Sequence, residues 1–196
     1  MTLADLPVRE RPVGRPVARR RLALAAARAI ATDGGYEAVT MREVAKRSGV
    51  ARATLYRYFS SKDHLLAEVI LDSNNALQAE LREHPPVGET LAERVSNAFE
   101  RVLTAIASEP KLLSATLRAF FSQEPAVRAL EMQIRQISTA YLEAGLGDAD
   151  VPERGEIARV LGPLFFAMLI SLSGGRRTCD EAVDDIRCAV RLLVRG

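Results

Sequence analysis

The sequence predicts an all-α protein of about nine helices, and three observations carry that expectation. Apolar residues recur at helical spacing through most of the 196-residue chain, and no alternating run of useful length marks a strand. Glycine and proline pairs punctuate these stretches at helix-sized intervals, as at Gly34-Gly35, Pro85-Pro86 and Gly174-Gly175. Between Thr40 and Lys62, short capped helices flank a single-glycine turn, which is the sequence shape of a helix-turn-helix. The expected architecture is an N-terminal three-helix helix-turn-helix domain followed by a larger helical domain. A hydrophobic content of 48% is enough to bury a core.

Residues 1–17 contain Pro7, Pro12, Gly14 and Pro16 and read as a flexible basic arm, with Arg9, Arg11 and Arg15 suited to a DNA backbone or minor groove. The first helix is expected over 18–33, with Leu22, Ala26 and Ile30 on one stripe and Gly34-Gly35 ending it. Thr40 and Glu43 form a capping box that opens the second helix, 41–48. Gly49 suits the left-handed conformation of a sharp turn, a third helix covers 51–58, and Val44, Val50 and Leu55 meet under the corner. Ser60 with Asp63 reads as another capping pair, opening a long fourth helix that Pro85-Pro86 closes near His84. Further helices are expected at 89–107, 110–122, 125–145, 153–172 and 179–194. Pro110, Pro125 and Pro152 sit at their starts, where proline costs little, and Pro163 predicts a kink. The domains therefore run 1–17, 18–62 and 63–196, with the fourth helix belonging to both halves.

Charge is distributed unevenly. Residues 1–62 hold 13 Lys and Arg against 5 Asp and Glu, a net +8, while residues 63–196 hold 14 against 20, a net −6. A basic front half fits a footprint for phosphates, so double-stranded DNA is the expected partner. Arg52 and Thr54 lie early in the second helix of the motif, where side chains reach base edges and an arginine can donate twice to guanine. Lys62 sits at a helix N-terminus that favours an anion, and Thr40 and Arg42 flank another. Tyr56 and Tyr58 suit either DNA contact or packing against Phe59, whereas Leu55 and Phe59 read as core.

The runs Gly34-Gly35-Tyr36, Thr40-Met41-Arg42-Glu43-Val44-Ala45 and Thr54-Leu55-Tyr56-Arg57-Tyr58-Phe59, with Lys62 in register, resemble the DNA-binding domain of TetR-type transcriptional regulators over about residues 18–70. Tyr58 stands where that family normally has His. The resemblance implies phosphate contacts from Tyr56, Tyr58 and Lys62, a palindromic operator, and a homodimer whose C-terminal domain binds a small effector. It most often implies repression, although activators share these residues. A narrower resemblance, to KstR-type repressors of sterol catabolism, rests on GGYEAVTMREVA, LYRYFSSK with His64-Leu65-Leu66, IARV at 157–160 and AVRLL at 189–193. It implies a steroid-derived CoA thioester as effector.

By composition, Phe120, Phe121, Met132, Phe165, Phe166 and Met168 suit an ordinary core. The resemblance implies that some of them line a cavity for an apolar small molecule. Arg118, Arg128 or Arg135 can supply a cation if the effector is ionised. Leu161, Phe165, Met168 and Leu172 form one apolar stripe and Val183, Ile186 and Val190 another. These stripes suit either the interior of one chain or a dimer interface in the form of a four-helix bundle; the expectation is the dimer.

Enzymatic signals are missing from the pattern: the chain has only His64 and His84, with no HExxH, nucleophile elbow or phosphate loop. No metal site and no cofactor are expected. No run approaches the roughly 18 apolar residues of a membrane span, and no apolar signal segment precedes the basic arm. Cys179 and Cys188 are nine residues apart, about 180° around a helix, so they cannot pair within it. Free thiols fit a reducing cytoplasm.

Overall fold

In the computed structural model, the structure describes residues 14–194, which form ten α-helices and no strand. They are α1 (Arg15–Ala38), α2 (Met41–Ser48), α3 (Arg52–Tyr58), α4 (Lys62–Glu83), α5 (Leu91–Ala107), α6 (Pro110–Phe120), α7 (Pro125–Arg135), α8 (Ile137–Leu146), α9 (Arg154–Ser173) and α10 (Cys179–Leu193). Arg9 and Arg11 of the expected arm lie outside the described residues. Helix α1 starts at Arg15 rather than residue 18, because Pro16 sits in its first turn, where no amide proton is needed. Its regular geometry is interrupted at Gly35 (φ 70, ψ −165), which matches the expected end. The single helix expected over 125–145 is two, separated at Gln136 (φ −83, ψ −4) with neither glycine nor proline to announce the break.

The described chain divides into two compact units. The first holds residues up to Ser73 together with Glu109–Ile134; the second holds Asn74–Ser108 and the residues from Arg135 onward. The division falls inside α4, and α6 and most of α7 join the first unit.

In the first unit, α1 packs on α2 and α6. Ala23, Ala27 and Ala31 on α1 and Ala115 and Ala119 on α6 are completely buried, and side chains this small let the helices approach closely. Polar ties reinforce the seam. The buried Glu109 carboxylate accepts from Arg28 at 2.8 Å and from the Thr32 hydroxyl at 2.7 Å, and Lys111 donates to the Asp33 carbonyl at 2.8 Å.

In the second unit, α5 packs against α8 and α10, and α9 also meets both. Phe99, Tyr141 and Phe165 form a ring of edge-on aromatic contacts with centroids 5.5–6.1 Å apart. The buried Tyr141 hydroxyl donates to Asn74 Oδ1 at 2.8 Å, and burial raises its pKa well above the usual phenol range. Reciprocal capping boxes start α5 (Thr90 with Glu93) and α10 (Thr178 with Glu181). Helix α9 is continuous through Pro163, and it is the one described helix long and apolar enough to cross a membrane by length and composition.

The expected dimer stripes need correcting. Leu161, Phe165, Val183, Ile186 and Val190 are buried within one chain, and Leu172 is half-buried. Helical periodicity marks a buried face without saying whose surface buries it, and here α5 and α8 belong to the same unit. The apolar residues left exposed lie elsewhere: Val160, Pro163 and Ala167 on α9 and Leu192 on α10.

Helix α8 approaches α5 so closely that a Cβ on Gly145 would lie 2.5 Å from Val95 Cα, a backbone atom that cannot swing aside. Gly145→Ala is therefore expected to destabilise the fold by at least about 1–3 kcal/mol. A Cβ on Gly155, in the first turn of α9, meets nothing within 4 Å, so Gly155→Ala should stabilise by up to about 1 kcal/mol. Urea unfolding of both variants checks the opposite signs.

Candidate nucleic-acid interface

The helix-turn-helix is assembled by local chemistry. Thr40 caps α2 by accepting the Glu43 amide at 3.1 Å. The reciprocal bond expected from the Glu43 carboxylate is not among those of the described residues; Glu43 instead lies 4.0 Å from Lys46. Gly49 ends α2 at φ 68 and ψ 9, a conformation in which a side chain would strain against the backbone. Val44, Val50 and Leu55 are buried, as expected, and so is Phe59. The capping of α4 is corrected: Ser61, not Ser60, accepts the amides of Asp63 and His64, both at 3.1 Å. Ser60 donates its amide to His64 Nδ1, and the Ser60 and Ser61 hydroxyls both donate to the Glu124 carboxylate.

This frame places the side chains named from the sequence as follows. Thr40, Arg42, Arg52 and Tyr56 are exposed, and Thr54 and Lys62 are half-buried. The Thr40 hydroxyl, although it accepts as a cap, can still donate to an anion. Arg52 stacks over the Tyr56 ring at 5.6 Å, with a guanidinium nitrogen 3.5 Å from the phenol oxygen, so the two prearrange one another on the outer face of α3. Tyr58 is the exception. Its hydroxyl oxygen is buried with no hydrogen-bond partner among the described residues, its ring edge meets Phe59, and Arg57 covers it at 5.5 Å. A phosphate cannot reach that oxygen as it stands, which corrects the expected contact.

Lys62 leads into a cluster that sequence reasoning missed. Its ammonium lies 3.7 Å from the Tyr36 ring centroid, 3.5 Å from the Tyr36 carbonyl and 3.9 Å from the Glu37 carboxylate. Arg118 of α6 reaches the same ring at 4.0 Å and the same carboxylate at 2.6 Å. The Tyr36 hydroxyl donates to Asp63 at 2.6 Å; burial and this bond push its pKa up to about 12, so it remains a neutral donor. Tyr36 belongs to the run that carries the family resemblance, but nothing local pairs it with a residue more than 80 positions away.

The residues expected to meet an effector fall in different units. Phe120, Phe121 and Met132 belong to the first, and Phe165, Phe166 and Met168 to the second. Phe120 is buried with its ring edge on Phe121, but Phe121 and Met132 are exposed by 56% and 66%, so they do not lie in an interior cavity of their unit. Phe165 and Met168 are buried and Phe166 is half-buried. No group of three or more His, Cys, Asp and Glu that would suit a metal occurs among the described residues.

Comparison with known proteins agrees with this geometry. Residues 23–69 match the family described as bacterial regulatory proteins, tetR family, and residues 88–193 match the tetracyclin repressor-like C-terminal domain. The chain is 32% identical over 177 residues to the transcriptional repressor KstR of Mycobacterium tuberculosis, covering 90% of this chain and 80% of that protein. A solved TetR transcriptional regulator from a Rhodococcus species superposes with a TM-score of 0.78 at 30% identity, covering 93% of this chain and 99% of that one. The repressor FadR of Thermus thermophilus, solved in complex with lauroyl-CoA, shares the fold with a TM-score of 0.67 at 20% identity, covering 90% of this chain and 96% of that one.

Removing the buried, unpartnered oxygen of Tyr58 is expected to leave thermal stability unchanged or slightly raised, because no hydrogen bond is lost. DNA affinity of Tyr58→Phe should stay within about twofold of the parent, whereas Arg52→Ala should lose about 1–3 kcal/mol per half-site and relax the preference at one base pair. Thermal melts and binding titrations on a selected duplex separate the two variants.

Proposed function

The chain belongs to the TetR family of bacterial regulatory proteins, and from that premise we propose that it is a dimeric, non-enzymatic repressor acting in the cytoplasm. It binds a palindromic operator and leaves it when an apolar acyl-CoA thioester is bound. The observation that carries the DNA half is the outer face of the helix-turn-helix, where Arg42, Arg52 and Tyr56 are exposed above a buried Val44, Val50 and Leu55. Segment 18–62 supplies the DNA contacts, Thr40, Arg42, Arg52, Thr54, Tyr56 and Lys62, while segment 63–196 supplies effector binding and dimerisation. Exposed arginines suit guanine edges, and the half-buried Lys62 at the start of α4 suits a phosphate.

The effector class is supported by the lauroyl-CoA in the Thermus FadR complex and by the likeness to KstR. The second unit offers the matching chemistry. Phe165, Phe166 and Met168 lie close in sequence on α9, and Phe165 meets the buried Tyr141–Asn74 hydrogen bond through the Tyr141 ring. Asn74 lies on α4, the helix both units share, so a ligand that disturbs this pair acts directly on that helix. Linkage requires reciprocity: if thioester weakens operator binding, operator must weaken thioester binding by the same factor. A duplex enriched from random DNA, titrated against protein with lauroyl-CoA and with a steroid-derived CoA thioester, tests this. The expected result is equal coupling factors in both directions for one of the two; identical thioester affinity with and without duplex would refute effector control.

The exposed apolar residues of α9 and α10 are the proposed dimer face, since a second copy would cover Val160, Pro163, Ala167 and Leu192. Ala167→Glu is expected to sediment as a folded monomer with helical content intact. Phe165→Glu, which places a carboxylate in the aromatic core, should instead lose about 3–5 kcal/mol or more and unfold.

A further inference from the structure

We infer that Arg118, on α6, is a positioning residue for DNA binding: by holding Glu37 it keeps the Lys62 ammonium available to a phosphate. The inference rests on the reading of Lys62 as a phosphate contact. Glu37 lies within reach of both cations, but its bond to Arg118 is 2.6 Å and its approach to Lys62 only 3.9 Å, so Arg118 is the dominant partner. Both cations also share the Tyr36 ring, and Asp63 is tied to the Tyr36 hydroxyl. Two cations and two carboxylates thus balance in this cluster. Withdrawing Arg118 leaves the cluster, lysine included, with one net negative charge, and Glu37 then competes with DNA for the ammonium.

Nothing in this scheme requires Arg118 to touch DNA. It sits on α6, which packs along α1, while Glu37 follows the glycine break at the end of that helix. Withdrawal of the Arg118 side chain from Glu37 therefore changes the charge near the phosphate-binding surface without moving α3. Both Arg118 and Glu37 are mostly exposed, at 59% and 75%, so their pairing adds little to folding and substitutions there leave the fold intact.

The test measures affinity of the full chain for a random-sequence duplex of about 30 base pairs at several salt concentrations, which reads phosphate contacts alone. Arg118→Gln is expected to weaken binding about three- to tenfold at low salt, since the dimer carries the cluster twice. Glu37→Gln should bind as well as the parent or better, and Arg118→Gln with Glu37→Gln should return to within about twofold of it. If Arg118 were itself a phosphate contact, the loss would persist in the Glu37→Gln background, and that result overturns the inference. Lys62→Met serves as the control on the underlying reading. It should weaken binding and flatten the salt dependence by about one charge per subunit. An unaltered salt slope in Lys62→Met would remove the phosphate contact, and the role of Arg118 with it. A normal Lys62→Met loss with no effect of Arg118→Gln would remove the role of Arg118 alone.

Discussion

Glu109 lies buried at the N-terminus of α6, with one carboxylate oxygen 2.8 Å from the Arg28 guanidinium and the other 2.7 Å from the Thr32 hydroxyl. A carboxylate taken out of water is tolerable only while its partners stay in place, because its desolvation costs several kcal/mol that an intact ion pair and hydrogen bond offset. The start of α6 also presents the positive end of its dipole to the same group, without a capping hydrogen bond to the carboxylate. These requirements bind α1 and α6 into one piece of structure. The three helices that would meet DNA are consequently part of a larger body that includes residues a purely sequential division assigns elsewhere. Any force felt by α6 is felt by α1.

Around that anchor the electrostatics are graded by burial. Glu109 is sealed inside; the Tyr36 cluster is half-open; Arg42 and Arg52 stand in solvent. Interactions strengthen as water is excluded, so the buried pair fixes structure while the outer charges remain exchangeable with counterions and phosphates. The net +8 of residues 1–62 is therefore only a starting quantity. Part of it is neutralised by pairs with acids from beyond that segment, Arg20–Glu68 and Arg28–Glu109, and the charge offered to DNA is what those pairs leave.

How legible each part was follows from how local its cause is. The Thr40 cap, the Gly49 turn and the buried Val44, Val50 and Leu55 are set by residues within a few positions of one another, so the pattern alone reveals them. The α7–α8 break at Gln136 was not legible, since neither residue type nor spacing there forbids a continuous helix. The α1–α6 seam joins Arg28 to a residue 81 positions later, and single-sequence periodicity contains no record of that pairing. The stripes on α9 and α10 are legible in the sequence but what covers them is not, because an apolar face looks the same whether its own chain or a second copy covers it. Phe121 and Met132 are exposed, as large apolar residues commonly are, and hydrophobicity alone does not say whether such a residue lies inside. The two further Thr-x-x-Glu boxes, at Thr90 and Thr178, were legible by the rule that identified the first.

The alternation of the two units along the chain has a consequence for biosynthesis. The polypeptide leaves the first unit after Ser73, returns at Glu109, and leaves again after Ile134. A ribosome thus completes the first unit only when α7 has emerged, well after the helix-turn-helix itself. Helix α5 meanwhile waits for α8 and α10, its packing partners, and α10 is the last of the described helices. During that interval its apolar face has no native partner, and such exposure invites chaperone binding or premature association. Two nascent chains on one messenger would offer each other that same face, so the order in which the helices appear shapes how safely the protein assembles.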